Sequence, residues 1–177
     1  MGTSIVIKMG GGTIGATDTT MEDIVSLSKS DIFPVLVHGG GSTVTEWLSD
    51  LGIKTDFVNG LRVTDENVLK VATAVLTGLV NKNIVAGIHR SGGRAIGISG
   101  IDDAMVVAEI QDPELGQVGE VKQVNPDLVL AAIENRIIPV ISSISLTPSP
   151  TFSVVNVNAD SVAGAVAGSL KSEKVIF

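Results

Sequence analysis

The sequence has 177 residues, the length of one domain or of one lobe of a larger enzyme. With 44% hydrophobic and 18% charged residues it is not a disordered chain, and with no cysteine it has no disulfide scaffold, no cysteine-held metal and no thiol nucleophile. A net charge of −7 without any Lys/Arg cluster, and 3% aromatics without a tyrosine, argue against nucleic acid, anionic membranes and base-stacking platforms.

Short Val/Ile runs alternate with helical patterns along the chain, the mark of an α/β protein with a largely parallel sheet. Residues 4–8 read as a buried first strand and 21–27 as a short helix. Residues 34–38 read as a second buried strand. Val44, Trp47, Leu48 and Leu51 fall at helical spacing, so 42–51 is an amphipathic helix. Within 56–64, Asn59-Gly60 between apolar residues signals a tight hairpin. Thr64 then caps a long helix, with Asp65 and Glu66 in its first turn and Val68, Val71, Ala72, Val75, Leu76 and Leu79 on its inner face.

A further helix is expected over 82–89 and a strand over 95–99. Residues 105–110 and 121–124 look like antiparallel strands of an excursion. Asn125 caps a helix over 128–134, with Pro126 at its first position. Strands follow at 137–142 and 151–155. Asn158 caps a helix over 159–170, and 174–177 begin a last core strand. No apolar run reaches the roughly 20 residues of a membrane span, and no targeting signal is visible, so the expected location is the cytoplasm.

Four stretches could carry chemistry. Lys8 ends the first strand and is followed by Gly10, Gly11 and Gly12, whose backbone N–H groups could approach an anion. The stretch matches G-x-G-x-x-G, yet 16–20 do not open a helix and the second strand ends in His38 where a dinucleotide fold wants an acid. The second stretch, His38-Gly39-Gly40-Gly41, sits between strand and helix. Gly40 and Gly41 would expose the first amides of that helix to an anion, and His38 itself reads as a capped, partly buried histidine rather than a catalytic one. In the third, Arg62 leaves the hairpin just before a helix. It is either a surface residue or a guanidinium that grips a carboxylate. In the fourth, Asn156 and Asn158 face one side of a strand, and Asp160 lies in the first turn of the last helix. Asp160 either caps the dipole or anchors a lysine such as Lys8. Two histidines are too few for a His-rich metal site.

Nine strings in register, from one end of the chain to the other, resemble the amino-acid kinase family. They are 8–11 (KMGG), 37–41 (VHGGG), 58–65 (VNGLRVTD), 80–82 (VNK), 92–100 (GGRAIGISG), 118–121 (VGEV), 124–126 (VNP), 138–141 (IPVI) and 156–160 (NVNAD). The third string favours the branch whose substrate is N-acetyl-L-glutamate. The resemblance implies an α/β/α three-layer sandwich with a mainly parallel open sheet. It also implies phosphoryl transfer from ATP, with Mg2+, to the γ-carboxylate of N-acetyl-L-glutamate in arginine biosynthesis.

Carried onto this sequence, the resemblance makes the amides of Gly40 and Gly41 the holders of the γ-carboxylate. Arg62 and Asn156 hold the α-carboxylate. Lys8 and the amides at Gly10, Gly11 and Gly12 neutralise the transferring phosphoryl group, and Asp160 orients Lys8. The metal arrives with the nucleotide, without protein ligands. The family pairs this lobe with a nucleotide lobe, so residues 1–177 are expected to be the amino-acid lobe alone, with little catalysis of its own, in a homodimer. Gly12 departs from the family, which usually has a small residue such as serine there. The alternative expectation is a non-catalytic single lobe that binds an acidic amino acid or an anion.

Overall fold

The computed structural model describes residues 3–10 and 19–177. The first strand, β1 (Thr3–Met9), is followed by helix α1 (Thr20–Ser28), strand β2 (Ile32–His38) and helix α2 (Gly41–Asp50). A hairpin of β3 (Phe57–Val58) and β4 (Leu61–Arg62) turns on Asn59 and Gly60, both at positive φ. This is the two-residue geometry that Asn-Gly favours. Helix α3 (Glu66–Thr73) runs through a π-helical stretch, Ala74–Val80, into α4 (Asn81–Arg90). Then come β5 (Ala95–Ser99), β6 (Val106–Ile110), β7 (Val118–Val124), α5 (Asp127–Glu134), β8 (Ile138–Ser142), β9 (Ile144–Leu146), β10 (Val154–Val157), α6 (Ala159–Leu170) and β11 (Lys174–Ile176).

The main sheet has five strands in the order β11-β1-β2-β8-β5, every pair parallel. A parallel sheet is covered on both faces, which is why its strands read as continuous apolar runs. Alternation along β2 shows the two layers. Val35 and Val37 point to one face, where Val129 of α5 and Val162, Ala163, Val166 and Ala167 of α6 cover them. Leu36 points to the other, against Ile24 and Val25 of α1 and Ile84 and Ile88 of α4. A third cluster packs Val44 and Leu48 of α2 on Val68, Ala72, Val75 and Leu76. The fold is thus an α/β/α sandwich with a parallel sheet. Beside it, β6, β7, β9 and β10 close into a small four-stranded barrel, in which β6 and β7 are antiparallel as expected.

Several local expectations are corrected. Asp65, not Thr64, caps α3: its carboxylate accepts from the Val68 N–H at 2.8 Å. Thr64 is fully buried instead. The helices expected on either side of residues 80–81 are one continuous helix of 25 residues, Glu66–Arg90, and Leu79 lies on its exposed side. That helix is long and apolar enough to cross a membrane by length and composition, although no uninterrupted apolar run is present. Its buried side, from Val68 to Ile88, packs in the core. Pro126 is the cap position of α5, one residue before the place expected, and Asn125 Oδ1 accepts from the Asp127 N–H at 3.1 Å. The strand placed at 151–155 is Val154–Val157, paired antiparallel with β9.

Candidate functional site

Because β1, β2, β8 and β5 run parallel, their carboxyl ends line one edge of the sheet, the side on which such sheets bind ligands. Met9 stands in register with His38, and His38 with Ser142. The Gly39 N–H donates to the Met9 carbonyl at 3.1 Å, tying the turn after β2 to the end of β1. Gly40 then takes φ 144°, and a Cβ at this position would press within 2.9 Å of the Leu76 side chain. Glycine is needed there on both counts. Gly40 is the cap residue of α2 with no side-chain cap, and no described residue accepts from the N–H groups of Gly40 or Gly41. Those free amides sit at the positive end of the helix dipole.

Arg62 comes in from the hairpin and is only 8% exposed. Its Nη2 donates to the Gly41 carbonyl at 2.9 Å and to Thr45 Oγ1 at 2.7 Å, and its Nη1 to Thr55 Oγ1 at 3.4 Å. The Thr45 hydroxyl donates in turn to the Gly41 carbonyl at 2.8 Å, so its oxygen is free to accept from Arg62. The Phe57 ring lies 4.5 Å from the guanidinium carbon, a cation–π contact. Burial lowers the guanidinium pKa from its ordinary value, and an arginine keeps its charge regardless. Among the described residues no carboxylate pairs with it. A buried, immobilised cation with only neutral partners attracts an anion.

These groups wall a cavity of about 190 Å3. Gly40, Gly41, Arg62, Ser143 and Asn156 are among its polar lining residues, and Val44, Leu76 and Val157 among its apolar ones. Just outside it, Lys8 Nζ meets Asp160 Oδ1 at 2.9 Å. Asp160 is placed by the start of α6, where Asn158 Oδ1 accepts from the Asp160 and Ser161 N–H groups at 2.8 and 3.2 Å. The Lys8 and Asp160 side chains are 23% and 55% exposed, so this pair is reachable from solvent.

His38, at the end of β2, is 1% exposed. Its Nδ1 lies 2.8 Å from the Gly39 carbonyl and its Nε2 3.0 Å from Asn81 Nδ2. The first contact requires a proton on Nδ1 and the second a bare Nε2, so the ring is neutral. Burial pushes its pKa below the usual value, partly offset by the Gly39 carbonyl and reinforced by Lys82. Asn81 Nδ2 also reaches the Val140 carbonyl at 2.9 Å.

A model of the amino acid kinase family matches residues 3–177. The chain belongs to the amino acid kinase family. Among curated relatives it is 44% identical over 177 residues to an acetylglutamate kinase of Dehalococcoides mccartyi, covering 98% of this chain and 65% of that protein. It is 44% identical over 181 residues to the acetylglutamate kinase of Syntrophomonas wolfei, with 99% and 62% covered. The chain thus spans less than two thirds of these relatives' length. Among solved structures, smu.665 from Streptococcus mutans UA159 superposes with a TM-score of 0.84 at 28% identity, over 97% of this chain and 70% of that one. The N-acetylglutamate synthase of Neisseria gonorrhoeae, solved with coenzyme A and N-acetyl-glutamate, shares the fold: TM-score 0.78, 23% identity, 98% of this chain and 40% of that one.

Among the residues that family resemblance singles out, the structure gathers Gly40, Gly41, Arg62 and Asn156 around one cavity and pairs Lys8 with Asp160. Gly10 ends beside His38 and Gly39 on the wall of a neighbouring cavity. Gly11 and Gly12 lie outside the described residues. Arg62 is not a surface residue, and His38 is buried throughout rather than in part. Sequence reasoning gave no role to Thr45, Thr55, Phe57, Asn81 or Ser143. Only Asn81 had a signal, in the 80–82 string. Among the described residues no three of His, Cys, Asp and Glu stand together as a metal site would need.

Proposed function

We propose that this chain is the amino-acid-binding lobe of an acetylglutamate kinase, acting in arginine biosynthesis in the cytoplasm. Its substrates are N-acetyl-L-glutamate and ATP with Mg2+, and it works as a homodimer through this lobe. The observation that carries the reading is the buried Arg62, with no carboxylate partner among the described residues, lining one small cavity together with the open amides of Gly40 and Gly41. Two separate anion holders in one cavity suit a dicarboxylate. Arg62 and Asn156 take its α-carboxylate, and the α2 amides take the γ-carboxylate.

In the reaction a γ-carboxylate oxygen forms a bond to the terminal phosphorus of ATP, and the bond from that phosphorus to the bridging oxygen breaks, releasing ADP. Little covalent work falls to the protein, and rate comes from position and charge. Lys8, oriented by Asp160, and the amides at Gly10, Gly11 and Gly12 neutralise charge on the transferring group. The metal would arrive with the nucleotide and would supply positive charge to its phosphates. We assign the rest of the nucleotide's grip to the portion of the relatives that this chain does not span.

A hydroxamate assay for the acyl phosphate tests the reading. The 177-residue chain should give no more than trace product, and a protein spanning the relatives' full length should turn over in the ordinary range of about 1–1000 per second. Full turnover by the chain alone would overturn the assignment of the phosphate site, and silence in the full-length protein would overturn the reaction.

A further inference from the structure

Thr64 joins the two walls of the cavity. It follows Arg62 by two residues and is 0% exposed. Its backbone is clamped on both sides: its N–H donates to the Leu115 carbonyl at 2.9 Å, and its carbonyl accepts from the Gln117 N–H at 2.7 Å. Between them Gly116 adopts φ 70°, and a Cβ there would run into the Thr64 carbonyl, so only glycine allows the approach. The clamp continues to the opposite wall, where the Asn156 N–H donates to the Gln117 carbonyl at 2.9 Å. With the backbone fixed, the Thr64 hydroxyl has two neighbours: the Arg62 carbonyl at 2.8 Å and Asn156 Nδ2 at 3.3 Å.

The direction of these bonds follows from valence. The hydroxyl has one proton, and a carbonyl can only accept, so the proton goes to Arg62. The hydroxyl oxygen then shows lone pairs to Asn156, and only the NH2 end of the amide can meet them. The orientation of the Asn156 amide is therefore decided by the chain of bonds. Its Oδ1 is turned away from Thr64 with no hydrogen-bond partner among the described residues, on a residue that lines the cavity.

We propose that Thr64 is a positioning residue of this site. Through one hydroxyl it holds the backbone that carries Arg62 and fixes which face of Asn156, its acceptor oxygen and its second N–H, is offered to the ligand. This goes beyond the roles of Arg62 and Asn156, and it rests on reading the cavity as the acidic amino-acid site.

The test uses the 177-residue chain as wild type, Thr64→Ser and Thr64→Val. Nuclear magnetic resonance follows the side-chain NH2 protons of Asn156, and calorimetry follows N-acetyl-L-glutamate. In wild type and Thr64→Ser the Asn156 protons should exchange with solvent about tenfold or more slower than those of an exposed asparagine. Thr64→Val should lose that protection and about tenfold in affinity, while Thr64→Ser stays within about twofold of wild type. Asn156 protons that exchange freely in wild type would overturn the proposal, and so would full affinity in Thr64→Val. Should Thr64→Val not fold, the wild-type exchange decides by itself. Should wild type bind no N-acetyl-L-glutamate, the substrate assignment fails, and the exchange measurement still judges Thr64.

Discussion

The two cations of the site are held in opposite ways. Arg62 is buried, fixed by neutral oxygens of Gly41, Thr45 and Thr55, and meets no carboxylate among the described residues. Lys8 is partly exposed and already paired with Asp160 at 2.9 Å. A buried charge without a counterion is costly until an anion arrives, so Arg62 is built to wait for one of fixed size and direction. A half-exposed ion pair contributes little to stability and can change partners at low cost. The contrast suits a site whose one pole grips a resident ligand and whose other pole meets a group in transit.

Three experiments would break or sharpen the contrast. The largest effect is expected for Lys8→Ala in a protein spanning the relatives' full length. Turnover should fall by roughly 100-fold or more, as when one preorganised charge-stabilising group is lost, with the affinity for N-acetyl-L-glutamate little changed. Rapid-quench kinetics beside calorimetry would check this; a loss of affinity with unchanged turnover would move Lys8 to the gripping pole.

The next effect concerns His38, whose ring braces the turn before α2 through the Gly39 carbonyl. Its pKa in the folded chain lies below the ordinary value, so between the two values the unfolded chain binds more protons. The stabilisation is therefore present above the unfolded value of about 6.5 and is lost as pH falls toward the folded one. Urea unfolding from pH 8 down to pH 5 should show stability dropping below about pH 6.5, and that part of the slope should vanish in His38→Gln. A slope that persists unchanged in the variant would mean that other groups cause it.

The smallest effect belongs to Asp160→Asn. The exposed pair should contribute less than about 1 kcal/mol, so the unfolding midpoint should hardly move. A loss of several kcal/mol would show that Lys8 and Asp160 are structural, as Arg62 and its partners are.

Much of the sheet was legible because a strand buried on both faces writes its own signature. Residues 95–99 are strand as expected, and β1, β2 and β8 are displaced by no more than two residues at either end. What failed depended on distant partners. The apolar spacing reads as one helix ending near Leu79 and another over 82–89. In the structure Asn81 turns inward to His38 and Val140, and the chain passes through in π-helical form. The small barrel was half hidden because β9 has three residues and closes the barrel by pairing with β6, far back along the chain. Thr64 reads as a cap before an acidic first turn, but the bonds it makes go to Arg62, Leu115, Gln117 and Asn156. The polar ends of the site were legible because each sits where a strand or hairpin stops. The threonines that aim Arg62 were not, since nothing local marks them.

Calorimetry of N-acetyl-L-glutamate against the 177-residue chain and its Arg62→Ala variant tests the gripping pole most directly. The account predicts saturable binding to the wild type and a loss of about tenfold or more in the variant, the 1.5–3 kcal/mol of a charge-assisted contact, with both proteins folded. Equal affinity in the two would contradict it and remove Arg62 from the site.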